Sequence, residues 1–134
     1  MARLVDTSLW IDFGRARSSQ SLKNFVARYI FDPDACLAEP ITFEVLRYAN
    51  EEETRHLQAQ FQTLATLTTP TNLWGEATAL GQRCRRHGIT PGSIDLLIAC
   101  VALHHDAELV TFDAGFAQIA TVSTLRVTRL SRPA

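Results

Sequence analysis

The sequence predicts an α/β domain: a mainly parallel sheet of four to five strands, flanked by helices on both faces. Three observations lead there. Short apolar runs such as Leu4-Val5, Ala35-Cys36-Leu37-Ala38 and Leu109-Val110 alternate with longer segments whose apolar residues recur at helical spacing. Each strand candidate is followed by helix candidates, the order in which crossovers make neighbouring strands parallel. The 134 residues contain no linker, repeat or low-complexity stretch, so one domain spanning 1–134 accounts for the chain. At this length about two thirds of the unfolded chain's surface becomes buried, enough for one self-supporting core.

Leu4-Val5 reads as a short buried strand ending at Asp6, with Thr7 or Ser8 placed to cap a helix carrying Leu9, Trp10 and Phe13. Ser18 to Ser21 offers caps for the next helix, with Leu22, Phe25, Val26, Tyr29 and Ile30 at helical spacing, and Asp32-Pro33-Asp34 breaks it. A strand is expected over 35–38. Pro40 suits a first helical turn, so 41–49 is expected to be helical, followed by a helix over about 51–67 with Glu51, Glu52 and Glu53 at its positive end. A brief strand is expected over 67–69. Asn72 and Gly88 bracket a helix reaching His87, and Ser93 caps an apolar helix reaching His105. Residues 108–112 form a strand, 113–119 a short helix and 125–130 a closing edge strand.

Hydrophobic residues make up 46% and charged residues 20%, far from the polar composition of disordered chains. Thirteen basic against 14 acidic residues leave a formal charge of −1, so no global positive field attracts nucleic acid and any such ligand must be held locally. Lys23 is the lone lysine; the arginine bias suits planar phosphate recognition and equally reflects genomic base composition. Cys36, Cys84 and Cys100 are odd in number and form no CxxC pair, which points to reduced, buried thiols. No apolar run approaches the ~20 residues of a membrane span, so a cytoplasmic protein without membrane contact is expected. The histidines form no HExxH pair, and the adjacent His104 and His105 point about 100° apart on a helix.

In open parallel sheets, ligands bind in the crevice outside the carboxyl ends of the strands. Asp6 and Asp113 both stand at such ends, although more than a hundred residues separate them. Asp95 lies in the first turn of an otherwise apolar helix, where a charge beside leucine and isoleucine is costly unless compensated. Helix-dipole stabilisation of about 0.3–1 kcal/mol accounts for it as well as a functional role does. Glu44 sits in the apolar patch Ile41-Thr-Phe-Glu-Val-Leu46. Carboxylates gathered without a cation repel and raise one another's pKa, whereas Mg²⁺ or Mn²⁺ neutralises them.

The stretches Leu4-Val-Asp-Thr-Ser-Leu-Trp-Ile-Asp12, Phe43-Glu-Val-Leu-Arg47, Ser93-Ile-Asp-Leu-Leu-Ile-Ala99 and Leu109-Val-Thr-Phe-Asp113 resemble the four motifs of the PIN-domain family. In order and spacing, essentially the whole chain is similar to the VapC toxins of VapBC toxin–antitoxin pairs. The resemblance implies that Asp6, Glu44, Asp95 and Asp113 are the metal-binding, catalytic acidic residues. Gly115 occupies a place where the family often has a further acid, which thins the fourth corner. Thr7, Ser93 and Thr111 match hydroxyl positions that support carboxylates or water. The implied activity is Mg²⁺- or Mn²⁺-dependent endoribonuclease, hydrolysing RNA phosphodiesters by an activated water to leave 5′-phosphate and 3′-hydroxyl ends. The implied partners are RNA, a small VapB-like antitoxin offering an arginine to the carboxylates, and a second copy in a homodimer.

Glu39 contests the place of Glu44, but Pro40 follows it and Glu44 matches the motif. Asp12 is expected to face solvent or pair with Arg15 or Arg17. Arg47 is expected beside the acidic site, paired with it or with substrate. Arg83, Arg85, Arg86 and His87, like Arg126, Arg129 and Arg132, read as solvated basic faces able to meet RNA phosphates. Trp10 and Trp74 are expected in packing or a subunit contact, and Leu57, Phe61 and Leu64 in the core or a dimer contact. The lysine of a phosphoryl-receiver domain and the Asp-x-Asp of haloacid-dehalogenase-type phosphatases are missing, as are Walker, GxGxxG and GxSxG motifs. The alternative from another class is a PIN-fold module that binds RNA or protein without cleaving.

Overall fold

A computed structural model describes residues 1–133. In chain order the elements are β1 (Arg3–Val5), α1 (Thr7–Gly14), α2 (Gln20–Ile30), β2 (Ala35–Leu37), α3 (Glu39–Arg47), α4 (Glu51–Phe61), β3 (Ala65–Thr66), α5 (Leu73–Arg86), α6 (Ser93–His104), β4 (Glu108–Thr111), α7 (Gly115–Ala120) and β5 (Arg126–Arg129). The strands form one sheet in the order β3-β2-β1-β4-β5, and every pairing is parallel. The α/β class, the helix–strand order and the parallel sheet all match the expectation from sequence.

The topology places the crevice. From β1 the chain works outward through β2 to the edge strand β3, then returns across the sheet to β4 and continues outward to β5. The connections therefore diverge between β1 and β4, and ligands bind at such a switch point, beyond the carboxyl ends of the strands. Asp6 directly follows β1 and Asp113 lies two residues beyond β4.

The central strands are continuous apolar runs because both their faces are covered. Leu4, Val5, Leu37, Leu109 and Val110 are buried, as are Trp10, Ile98 and Phe116 from the covering helices. Leu57 is also in the core and Phe61 packs its ring on Trp10 with centroids 4.9 Å apart, so α4 uses its apolar face within the chain. All three cysteines are buried free thiols. Among the described residues no helix is long and apolar enough to cross a membrane.

Several local readings change. Helix α4 ends at Phe61 and β3 lies at Ala65–Thr66, because the strand needs to pair with Cys36 and Leu37 of β2 and the preceding apolar spacing does not reveal that partner. Neither Thr7 nor Ser8 caps α1; Asp6 does, accepting from the Ser8 amide. Ser93 is the first residue of α6, whose N-cap is Gly92; Asn72 does hold the N-cap position of α5, but its side chain donates to Glu76 and makes no capping hydrogen bond. Gly88 ends the α5 segment as expected, at φ +74°, a backbone region that glycine enters without steric cost. Trp74 is 72% exposed, so the packing expected of it within the chain is absent. Asp12 is buried and accepts from Arg132 Nε at 2.7 Å, not from Arg15 or Arg17.

Candidate active site

Asp6 is held by residues that sequence spacing could not connect. It is 3% exposed, and its Oδ2 accepts from Thr111 Oγ1 at 2.7 Å, Ser8 Oγ at 2.9 Å and the Ser8 amide at 3.4 Å. Both hydroxyls are themselves fixed. Thr111 Oγ1 accepts from the Asp113 amide at 2.9 Å, and Ser8 Oγ accepts from the Phe112 amide at 3.2 Å. Every one of these side-chain bonds falls on Oδ2, which orients the carboxylate and spares Oδ1. Burial pushes the Asp6 carboxyl above its usual range, and the hydrogen bonds from Thr111 and Ser8 pull back against it.

A cleft of about 180 Å³ opens over Asp6. Glu44 enters it from the second turn of α3, Asp95 from the first turn of α6, and Asp113 from the exposed turn after β4. Thr7, Ser8, Ile11 and Tyr48 complete its wall. Burial, followed by the charges of Asp113, Asp6 and Glu44, pushes the Asp95 carboxyl up to about 7. All four acidic residues singled out from the sequence thus meet at the switch point between β1 and β4.

The supporting residues divide. Thr111 is central. Thr7 lines the cleft and its Oγ1 is buried with no hydrogen-bond partner, while Ser8, expected only as a helix cap, supplies the bond to Asp6. Ser93 is exposed and outside the cleft lining, and Arg47 is also exposed, placing its guanidinium 4.8 Å from the centre of the Tyr48 ring instead of reaching the acids. Tyr48 went unrecognised in the sequence, although its place four residues after Glu44 put both on one helical face. Glu39 is exposed and accepts from Thr69. Gly115 donates its amide to Asp113 Oδ1 at 2.9 Å, and a Cβ at that position would lie 3.4 Å from the same oxygen.

Carboxylate and hydroxyl oxygens are the donors that hard divalent cations take, and a cleft in which three acids raise the pKa of a fourth fits such a charge. Among the described residues no three His, Cys, Asp or Glu side chains form a ready-made metal cage.

Comparisons with known proteins identify the family and the fold. The PIN domain model matches residues 3–122. The chain is 34% identical over 128 residues to the VapC ribonuclease Mb1587 of Mycobacterium bovis and to ribonuclease VapC11 of Mycobacterium tuberculosis, covering 92% of this chain and 95% of each relative. Among solved structures, it is similar in fold to a chain of the DNA-bound VapBC complex from Salmonella typhimurium, with TM-score 0.73, 15% identity, and 96% of this chain and 98% of that one covered. VapBC-1 from nontypeable Haemophilus influenzae gives TM-score 0.72 at 20% identity with the same coverage. With the family model spanning nearly the whole fold and relatives above 30% identity along its length, the chain belongs to the PIN-domain family.

Proposed function

We propose that this chain is a divalent-metal-dependent endoribonuclease acting as the toxin of a type II toxin–antitoxin pair. The carrying observation is the convergence of Asp6, Glu44, Asp95 and Asp113 on one cleft, with the Asp95 carboxyl raised by the other three. Relatives named VapC ribonucleases support the reaction, and the fold shared with VapBC complexes supports the antitoxin.

In this reading Asp6, Glu44, Asp95 and Asp113 would hold a Mg²⁺ or Mn²⁺ ion, which when bound would supply Lewis-acid polarisation of the phosphate and a water of lowered pKa. The protein does the positioning. Thr111 and Ser8 lock Asp6 through Oδ2 and so aim Oδ1, while the Gly115 amide fixes Asp113. The Asp95 carboxyl, raised to about 7 by burial and by its acidic neighbours, would favour its ionised form beside a divalent charge. Partners are RNA, a VapB-like antitoxin whose arginine pairs with the carboxylates, and a second copy of the chain.

Incubating purified protein with single-stranded and structured RNAs, with Mg²⁺, with Mn²⁺ and with chelator, tests the reaction. The proposal expects cation-dependent cleavage that leaves 5′-phosphate ends and disappears in Asp6→Asn and Asp95→Asn. Tight RNA binding without cleavage in any metal would give the chain to the non-catalytic alternative.

A further inference from the structure

Beside the acidic cleft, between the end of α3 and the loop joining α1 to α2, lies an open hollow of about 350 Å³. Tyr48 lines both spaces and is 61% exposed, so its ring stands between the hollow and the cleft. Arg15 and Arg17 line the far side. Among the described residues, none of the ion pairs uses Arg15, Arg17 or Arg47, whereas Arg3, Arg126 and Arg132 all have acidic partners. The remaining acid in the hollow, Glu53, is occupied: its Oε1 accepts from the Asn50 amide at 3.0 Å and its Oε2 from the Ala16 amide at 3.4 Å.

An exposed aromatic ring, with one face under the Arg47 guanidinium and with Arg15 and Arg17 free of ion pairs beside it, is the chemistry that holds a flexible nucleic-acid strand, a base stacking on the open ring face and phosphates pairing with the arginines. A chain of net charge −1 must place such contacts locally, next to the cleft where phosphodiesters react. A base is free to stack only when unpaired, which favours a single strand over a duplex. We propose that this hollow is a substrate subsite for single-stranded RNA, with phosphates on Arg15 and Arg17 and a base on the face of Tyr48 opposite the Arg47 guanidinium. The subsite rests on the reading of the acidic cleft as the cleaving centre, and it supplies the attraction that four carboxylates deny.

The test is fluorescence anisotropy of a labelled single-stranded RNA oligonucleotide across a salt series, in an Asp95→Asn background that suppresses cleavage. Replacing both arginines, Arg15→Gln with Arg17→Gln, should lower the slope of log K against log salt by about 1.4, two contacts at roughly 0.7 each. Tyr48→Ala should weaken binding roughly tenfold or more, and Tyr48→Phe should restore most of it, because stacking needs only the ring. Arg28→Gln with Arg55→Gln, exposed arginines of α2 and α4 outside the hollow and the cleft, serves as the control and should leave the slope nearly intact.

An unchanged slope in the Arg15/Arg17 variant, an unchanged affinity in Tyr48→Ala, or an equal effect from the control pair would overturn the subsite. Loss of antitoxin binding by the same variants with RNA binding intact would assign the hollow to a protein partner and overturn it too. The two readings fail separately. A wild-type chain that binds RNA through these residues yet never cleaves contradicts the nuclease, while cleavage with an unaltered salt slope contradicts the subsite alone.

Discussion

Thr111 Oγ1 donates to Asp6 Oδ2 at 2.7 Å across 105 residues of sequence, and the same oxygen accepts from the Asp113 amide at 2.9 Å. One hydroxyl therefore sets the position of the acid after β1 and the backbone of the acid after β4. Thr111→Val should keep the shape, strip Asp6 of a buried donor and orphan the Asp113 amide. The expected cost is about 1–3 kcal/mol by chemical denaturation, with RNA cleavage falling roughly tenfold or more through lost preorganisation. Thr111→Ser should recover most of both.

The raised Asp95 carboxyl makes stability depend on pH. Its folded value of about 7 exceeds the ordinary 3.8, so between those values the native state binds more protons than the unfolded chain and stability falls as pH rises. Burial raises Asp6 in the same direction. Thermal denaturation of the metal-free protein should give a higher Tm at pH 5.5 than at pH 8. Asp95→Asn should remove much of that difference, and saturating Mg²⁺ should reduce it by neutralising the acids at the higher pH.

Arg132 ties the segment after β5 to the site. Its Nε donates to buried Asp12 at 2.7 Å and its guanidinium carbon lies 4.4 Å from the centre of the Phe112 ring, the residue whose amide anchors Ser8. Since Arg132 is half exposed, Arg132→Ala should lower stability by only about 1–2 kcal/mol, combining a charged hydrogen bond with a cation–π contact. A double-mutant cycle with Asp12→Asn should be non-additive, and additive losses would show that the two side chains act independently.

Gly115 leaves room beside Asp113, with a Cβ expected 3.4 Å from its Oδ1. Gly115→Asp adds a carboxylate at a corner that now offers only an amide. It should destabilise the metal-free protein through like-charge repulsion yet tighten Mn²⁺ binding by roughly threefold to tenfold, because affinity at oxygen sites follows ligand charge count. Unchanged Mn²⁺ affinity would place the ion away from Asp113.

Much of this architecture was legible in the residues, because each strand end and helix start carried its own local signal. Asp6 and Asp113 stood at strand ends, and Asp95 was a lone charge on an apolar helix. What escaped notice was long-range. β3 exists because β2 offers it an edge, a partner invisible in the two residues Ala65 and Thr66. Local sequence makes Ser8 a cap candidate, whereas its role at Asp6 depends on the Phe112 amide more than a hundred positions away. Asp12 seemed a surface acid because its partner, Arg132, comes from the opposite end of the described chain. Arg47 fell one position from the face that mattered, and Tyr48 took it.

Isothermal titration of Mn²⁺ into the wild-type protein and into Asp6→Asn, Glu44→Gln, Asp95→Asn and Asp113→Asn bears most directly on whether these four side chains form one cation site. Wild type should bind, with net proton release at pH 6, below the Asp95 value of about 7, and each substitution should weaken binding, by roughly tenfold or more for Asp6 and Asp113. A wild-type chain that takes up no divalent ion, or one whose affinity survives all four substitutions, would contradict the account.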